Sequence, residues 1–304
     1  MGSPVVARRR LGAELRKLRE LAGVTVAEAA RALECSPSKI SRLETGLGVP
    51  RSRDVRDLIE LIGGEARARR AELLELAEEG RTAAWYDELG VVEPGSLAHR
   101  LIGLEASASE VLIYGGSWLP GLVQTPAYAA AVYRAARHKR TDAEIEALVD
   151  LRMRRKGVLS REPNPMRLTA ILDESALVRW AGGPEVMREQ LESLQEAVTN
   201  PRPNVELRLL PFSAGLHRLV AGDLTVLRFD GDDPDIAVTE GHGGVNFEER
   251  SPEVEPLIED FHSGLELSVG GDDFAKRLAD LARSESLPGS SGSSVSSPRS
   301  RPVR

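Results

Sequence analysis

The stretch VTVAEAARALECSPSKISRLETG, residues 24–46, decides the fold of the first part of the chain. Thr25 precedes one run with helical spacing, and Glu28 follows three residues later, as in a capping box. Ser36 precedes a second run and is a favoured N-cap residue. Because residues 34–35 leave room only for a tight turn, the stretch predicts two short helices in a helix-turn-helix arrangement.

The second of these helices has different inner and outer faces. Ile40 and Leu43 are spaced to point inward, whereas the outer face and the helix start are polar. A helix of this kind fits the DNA major groove, and its first backbone N–H groups can bind phosphate. We therefore predict DNA contacts from Ser36, Ser38, Lys39, Ser41 and Arg42. Ser36 is equally suited to capping alone, and Arg16 and Arg51 fit either phosphate contacts or a solvated basic face.

Two further residues of this stretch have structural interpretations. Glu44 is better suited to pairing with a nearby arginine, or to capping a turn, than to reading a cytosine base. Cys35 is the only cysteine of the chain, which excludes an intrachain disulfide and a zinc site built on several thiolates. For Cys35 we favour the role of a small, half-buried turn residue, with a redox switch as the alternative.

Helical patterns also flank the quoted stretch. Leucines recur at helical spacing within residues 5–21. Residues 54–62 and 65–79 carry two more helical patterns. The sequence thus predicts a mainly α, five-helix domain over residues 1–80.

The charges and aromatic residues divide the 304-residue chain in two. The formal net charge is −7, yet residues 1–56 carry +6 and the remainder carries −13. All twelve Phe, Trp and Tyr residues lie at or after Trp85, so the first part must build its core from aliphatic side chains. Such an asymmetry indicates two modules with different roles, the first of them suited to nucleic acid.

The quoted stretch resembles the Xre-type, lambda-repressor-like family of helix-turn-helix transcription factors. The similarity covers about residues 11–61, and SRLE at 41–44 is its most distinctive part. The resemblance implies a five-helix fold that binds double-stranded DNA. Glu34 stands where this family often has Gly, and Val26 stands where it often has a DNA-contacting Gln. The second departure moves the expected contact at the start of that helix to Thr25.

The second part combines helical and strand patterns. Pro- and Gly-bounded apolar runs predict an α+β domain over residues 85–283 with a small, mostly antiparallel sheet. Strands are expected at 166–172, 205–210, 224–229, 236–239 and 244–247, and helices near 96–112, 126–138, 142–160, 184–198, from 251, and at 272–283. Residues 284–304 contain fourteen Ser, Gly or Pro among 21 and no apolar period, so we predict a disordered tail.

Four blocks of the second part resemble the C-terminal effector module that follows Xre-type domains in many actinobacterial regulators. They are WLPGLVQTPAYAAAV (118–132), LDESAL (172–177), GGPEVMREQLESL (182–194) and VELRLLPFSAGLH (205–217). The biochemical role of that module is not generally established. The resemblance implies regulation of development or secondary metabolism and a neighbouring small partner protein.

An aromatic cluster is the first candidate ligand or partner region of this part. Its six Trp and Tyr residues lie within 49 positions, and the candidates among them are Trp85, Tyr114, Trp118 and Tyr128. They could form ordinary core, a partner interface, where Tyr and Trp are enriched, or a pocket for a planar ligand.

Catalytic patterns are weak throughout. His217, Asp223, Glu240 and His242 lie on or beside expected strands, but we expect scattered histidines there. Ser117, His138 and Asp173 have the residue types of a triad, yet no Gly-x-Ser-x-Gly elbow surrounds the serine. No metal-ligand spacing supports these histidines, and the sequence has no Gly-x-Gly-x-x-Gly or Walker-type loop. We therefore expect no enzyme activity, no metal site and no cofactor.

These observations together predict a sequence-specific DNA-binding transcriptional regulator. One half-site rarely discriminates among genomic competitors, so we expect a homodimer on half-sites ~34 Å apart. The C-terminal domain would receive a small molecule or a small partner protein. The alternative is an antitoxin-like protein that mainly holds a small partner and binds DNA for autoregulation. With neither a membrane-length apolar run nor a signal-peptide pattern, we expect a cytoplasmic, nucleoid-associated protein with no membrane partner.

Overall fold

The computed structural model contains a helical unit followed by a unit built on a mixed sheet. It describes residues 3–93, 95–136, 139–231, 233–241 and 244–283. The tail predicted at 284–304 lies outside the described residues, as do His138 and His242.

The described residues of the helical unit form six helices, so the prediction of five is corrected. They are α1 (Pro4–Leu21), α2 (Val26–Ala32), α3 (Pro37–Glu44), α4 (Ser52–Ile62), α5 (Gly64–Ala68) and α6 (Arg70–Glu79). The fifth expected helix is divided at Arg69, whose backbone leaves the α region at φ −97°, ψ 15°. The Arg69 guanidinium binds Glu14 of α1 at 2.5 Å and Glu72 of α6 at 2.6 Å. No Gly or Pro lies between residues 65 and 79, so nothing local marks this break.

An aliphatic core holds the helical unit together, as the sequence predicts. Leu11 and Leu15 of α1, Ile40 of α3 and Leu58 of α4 are fully buried in one cluster. Gly12 permits the close crossing of α1 and α3, because a Cβ there would lie 2.5 Å from the backbone oxygens of Leu43 and Glu44. The crossing fixes how α3 projects from the unit.

The second unit alternates helices with six strands among its described residues. Its helices are α7 (Leu97–Glu105), α8 (Pro126–Ala135), α9 (Asp142–Arg155), α10 (Glu174–Val178), α11 (Pro184–Thr199), α12 (Ser251–Leu267) and α13 (Gly271–Arg283). Its strands are β1 (Glu110–Gly115), β2 (Arg167–Asp173), β3 (Val205–Leu210), β4 (Asp223–Arg228), β5 (Ile236–Gly241) and β6 (Gly244–Glu248).

The sheet is mixed, with three antiparallel and two parallel strand pairings among its described strands, so the predicted mostly antiparallel sheet is confirmed only approximately. Its order is β3-β2-β1-β4-β5-β6. β1, β2 and β3 are parallel neighbours. β4 pairs antiparallel with β1, β5 with β4, and β6 with β5. Long helical crossovers separate β1, β2 and β3 in sequence, as parallel strands require.

The strand that the sequence analysis missed is the central one. Residues 110–112 were expected to end a helix from 96, but that helix ends at Glu105 and β1 follows. Val111 and Leu112 pack on opposite faces of the sheet. A strand buried on both faces reads as a continuous apolar run without alternation, and such a run is easily mistaken for helix. The expected helix at 126–138 also ends early, at Ala135. Over 142–160 the α-helix ends at Arg155, and a 3-10 helix, Lys156–Ser160, continues it to the expected end.

Helices cover both faces of this sheet. Met187 and Leu191 of α11 and Phe274 of α13 pack with Ile113 on one face. Val254 and Phe261 of α12 pack on the other face. The unit is therefore a three-layer sandwich, with the ends of its strands left open at the edges of the layers.

The two units share helix α1. Val5 and Val6 join the core of the sheet unit, whereas Leu11, Leu15 and Leu18 join the core of the helical unit. The Ser3 hydroxyl at the start of α1 donates to the carbonyl of Gly103 in α7 at 2.7 Å.

Arginine contacts strengthen this joint. Arg9 donates to Glu249 at 3.1 Å and to the Pro234 carbonyl at 2.6 Å, and its guanidinium lies over the Phe229 ring. Arg10 pairs with Asp233 at 2.6 Å. These cations of the basic N-terminal segment are therefore neutralised by the acidic sheet unit.

Candidate nucleic-acid interface and the sheet-edge crevice

Both helices of the predicted pair begin at the expected caps. The Thr25 hydroxyl accepts from the Glu28 N–H, and the Glu28 carboxylate accepts from the Thr25 N–H, so the capping box is confirmed. The Ser36 hydroxyl accepts from the Lys39 N–H at the start of α3. Both side chains are thus engaged by their own helices while remaining exposed.

The turn between α2 and α3 bends through Glu34. Its φ of 49° lies in the left-handed region, where glycine is favoured over residues with a Cβ. The Cys35 N–H closes the turn on the Ala30 carbonyl at 2.8 Å. Cys35 is half-buried, which fits its expected role as a turn residue.

A buried ion pair fixes the far end of α3. Arg19 of α1 donates two hydrogen bonds to the Glu44 carboxylate, at 2.5 and 2.9 Å. The two side chains are only 7% and 5% exposed. The expected pairing of Glu44 with an arginine is confirmed, and this carboxylate is withdrawn from the outer surface.

The outer face of α3 is polar and open. Ser38, Ser41 and Arg42 are exposed, and Thr45 continues this surface beyond the helix. The Arg42 guanidinium has one long hydrogen bond, 3.4 Å, to the Leu47 carbonyl. Lys39 differs, because its ammonium pairs with Asp54 of α4 at 2.5 Å. The serines and Arg42 can therefore meet a ligand directly, whereas Lys39 must exchange its partner.

The helical unit also carries unpaired cations. In its described part, five exposed cations have no carboxylate within ion-pair distance: Lys17, Arg31, Arg42, Arg51 and Arg56. Arg16 instead pairs with Glu20 at 2.9 Å. The sequence analysis did not single out Lys17 and Arg31, because side-chain partners decide which cations stay free and partners are not visible in a charge count.

The four candidate aromatic residues do not form one cluster. Tyr128 is buried in the core, and its hydroxyl accepts from the Leu119 N–H. Trp85 lies beside Tyr86 near the start of α1, in edge-to-face contact. Tyr114 and Trp118 instead line neighbouring parts of a crevice at one end of the sheet. Residues predicted as one group thus have three different surroundings.

This sheet-edge crevice lies where β1 and β2 end and β4 begins. The Tyr114 hydroxyl donates to Asp173 at 3.0 Å, and His217 Nε2 lies 3.6 Å from the same carboxylate oxygen. Asp223 Oδ1 accepts from the backbone N–H groups of Gly116 and Ser117, at 2.7 and 3.1 Å. Asp173 and Ser117, two of the weak triad candidates, thus meet Asp223 and His217 from the other weak group.

Burial changes the acid–base properties of the crevice. Loss of solvent raises the pKa of Asp223, and the nearby Asp173 charge raises it further. Burial and Asp223 raise the pKa of Glu240, which faces Asp223 across the β4–β5 pair. Within the described residues, no group of three or more His, Cys, Asp or Glu side chains could hold a metal ion.

Comparisons with known families divide the chain in the same way as the fold does. Residues 10–73 match the model of a helix-turn-helix domain. Residues 98–280, more than half of the chain, match a domain of unknown function (DUF5753). The chain belongs to this family. No curated protein and no solved structure matches it.

The helix-turn-helix match covers α3 and the unpaired cations of the helical unit. It supports a DNA-binding regulator, as the sequence analysis predicts. The second match covers the sheet, and its description carries no activity. None of the described helices combines the length and apolar character needed to cross a membrane.

Proposed function

We propose that this protein is a sequence-specific, Xre-type transcriptional regulator that reads an operator through α3 and receives a signal through its sheet unit. The observation that carries the proposal is the outer face of α3, where Ser38, Ser41 and Arg42 are exposed, in a helical unit that also carries unpaired cations. A helix with this face fits the major groove, and Arg42 can donate two hydrogen bonds to one guanine. The helix start can bind a phosphate.

The remaining parts of the proposal follow from the sequence and its resemblance. The protein acts as a homodimer on two half-sites, because a single α3 contacts too few base pairs for genomic discrimination. It acts in an actinobacterial cell, in the cytoplasm at the nucleoid, and controls development or secondary metabolism. Its sheet unit binds a small molecule or a small protein and carries out no catalysis.

The test starts with an operator selected from random duplexes by the full-length protein. Arg42→Ala should weaken specific binding by about 1–3 kcal/mol, roughly 5- to 150-fold, and relax the base preference at one position. Arg188→Ala is the matched control, because Arg188 is an exposed arginine without an ionic partner on α11. It should leave the affinity within about twofold.

Salt dependence separates the base contact from phosphate contacts. Arg31→Ala and Arg51→Ala should reduce the slope of log affinity against log salt by about 1 each and weaken all sequences equally. An Arg42→Ala protein that retains both affinity and base preference would refute the role of α3. A stoichiometric small protein that co-purifies and is needed for operator binding would favour the antitoxin-like alternative instead.

A further inference from the structure

The sheet-edge crevice lies at the topological switch point of the sheet. β2 and β3 lie on one side of β1, and β4 lies on the other, in the order β3-β2-β1-β4-β5-β6. The carboxyl ends of the three parallel strands lie at one edge of the sheet, where antiparallel β4 begins, and a cavity opens there. In open α/β sheets, ligands bind in this position.

The loop after β1 already holds an anion from the protein itself. Its successive N–H groups, on Gly116 and Ser117, both donate to Asp223 Oδ1. Backbone donors of this kind commonly bind phosphate at a switch point. Because Asp223 occupies them, the crevice offers hydrogen-bond acceptors to a ligand and excludes phosphate from this loop. The second oxygen of Asp223 makes no hydrogen bond to another described residue.

A second buried group points to a ligand independently. The His217 side chain is nine-tenths buried and lines the cavity, yet its Nδ1 has no hydrogen-bond partner among the described residues. Leaving a buried polar atom unpaired is unfavourable, so such atoms need a reason. A ligand that packs against His217 is one such reason.

The charge around the cavity is negative. Asp173 and Asp223 both line it, and Glu240 lies next to Asp223. In the described part of the chain, no Lys or Arg side chain pairs with Asp173 or Asp223, whereas Arg152 and Arg155 lie near Glu240. The unpaired Asp173 and Asp223 favour a ligand that carries positive charge.

The outer wall of the cavity is apolar. Phe212, directly after β3, is 60% exposed, and Val220 is 63% exposed, although both line a cavity of about 380 Å³. Large apolar side chains open to water beside converging polar groups are typical of binding sites for small organic molecules.

We propose that the sheet-edge crevice binds a small organic cation, with its ammonium group on Asp223 and Asp173 and its apolar part against Phe212. The ammonium would donate to the free oxygen of Asp223. The inference rests on the proposed sensing role of the sheet unit and specifies its ligand class. It does not depend on DNA binding by α3.

The experiment compares three near-isosteric probes on the full-length protein without DNA: phenethylamine, 2-phenylethanol and phenylacetate. Binding is followed by the imidazole signal of His217 in ¹H–¹³C spectra, which is assigned by its loss in His217→Gln. Phenethylamine should shift this signal saturably with a Kd of about 1 mM or below. Phenylethanol should bind at least about fivefold more weakly, and phenylacetate should not bind.

Two variants and a control locate the contact. Asp223→Asn should weaken phenethylamine binding about tenfold or more, because it removes the charge of the acceptor. Phe212→Ala should weaken phenethylamine binding about threefold. Because Phe212 is exposed, its truncation does not open the core, so this variant tests the site if Asp223→Asn does not fold. Glu192→Gln, at an exposed acid on α11, should change phenethylamine binding less than twofold.

Several results would overturn the proposal. They are a His217 signal that phenethylamine does not shift saturably, phenylacetate binding as tight as that of the amine, or affinities that neither Asp223→Asn nor Phe212→Ala changes. Operator binding by the same samples is measured separately. Loss of operator binding with retained amine binding would refute the proposed regulator but not this site.

Discussion

The outer face of α3 and the sheet-edge crevice are assembled in opposite ways. The caps, turn and outer residues of the first lie within positions 25–45 of the chain. The crevice brings together Tyr114, Asp173, His217 and Asp223, which lie on four separate segments. A surface built from adjacent turns follows from local preferences, whereas a surface built from distant segments exists only after the sheet forms.

The comparison extends to the cations of the two surfaces. Arg42 projects freely from α3, but Arg9 and Arg10, also in the basic N-terminal segment, are bound to acids of the sheet unit. Net charge by segment therefore indicates a role without identifying the residues that perform it. Helix α1 connects the two systems, so changes in the local and the long-range contacts should have separable effects on stability.

The largest expected effect comes from breaking the buried pair that anchors α3. Glu44→Ala leaves the buried Arg19 with the Val24 carbonyl at 2.7 Å and the half-exposed Glu20 carboxylate at 3.6 Å as its remaining partners. The free energy of unfolding should fall by about 3 kcal/mol, because the remaining charge stays desolvated. Urea unfolding followed by circular dichroism at 222 nm measures the loss, and tryptophan fluorescence reports the rest of the molecule, since every Trp lies at or after position 85.

The helical unit should unfold first in this variant, so the dichroism transition should precede the fluorescence transition. Replacing both partners, as Arg19→Met with Glu44→Leu, is the control and should restore most of the loss. A Glu44→Ala protein within about 0.5 kcal/mol of the parent would mean that the helical unit does not depend on this pair.

The next largest effect tests the joint between the two regions. A Cβ on Gly103 would lie 2.3 Å from Val5 of α1 and 2.5 Å from the Tyr86 hydroxyl. Gly103→Ala should therefore cost about 2 kcal/mol by overpacking and detach α1 from α7. In urea, the transition followed by dichroism at 222 nm should separate from the transition followed by tryptophan fluorescence, which would show that the two units are no longer coupled.

Gly157→Ala is the matched control, because nothing lies within 4 Å of the added Cβ. It should change stability by less than about 0.5 kcal/mol. If Gly103→Ala unfolds in one step with the stability of the parent, the packing of α1 on α7 does not couple the units.

The smallest effect sharpens the local side of the comparison. Glu34→Gly should stabilise the helical unit by about 0.5–1 kcal/mol, because glycine adopts a φ of 49° without the steric cost of a Cβ. The dichroism transition should shift upward while the fluorescence transition stays in place. Ala13→Gly, at an exposed interior position of α1, should instead destabilise the unit by about 1 kcal/mol. If the dichroism transition shifts equally in Glu34→Gly and Ala13→Gly, the backbone at Glu34 is not strained.

The sequence predicted the helix-turn-helix pair closely. The caps at Thr25 and Ser36 lie where expected, and Ile40 and Leu43 face inward, because capping and amphipathic spacing act within one or two helical turns. The departure at Glu34 also has a visible consequence in its left-handed backbone. The break at Arg69 was missed, since it accompanies contacts with Glu14, 55 residues away.

The second unit was predicted less completely. Most outer strands were placed well, but the central β1 was assigned to a helix and the parallel arrangement was not foreseen. The parallel direction of β1, β2 and β3 is set by the long crossovers between them. Neither that direction nor burial on both faces leaves a periodic signal in the sequence of β1. Asp173 and His217 were noted in separate weak groups, because no local pattern relates positions 44 residues apart.

The sequence by itself determined the two-part division, the aliphatic helical core, the recognition helix and its caps, because these depend on composition and on contacts between near neighbours. The tertiary structure decided which arginines remain free, how α1 is shared, and that the ends of β1, β2 and β4 enclose one crevice. Pairing and burial depend on distances between segments far apart in the chain, and only the packed fold sets those distances.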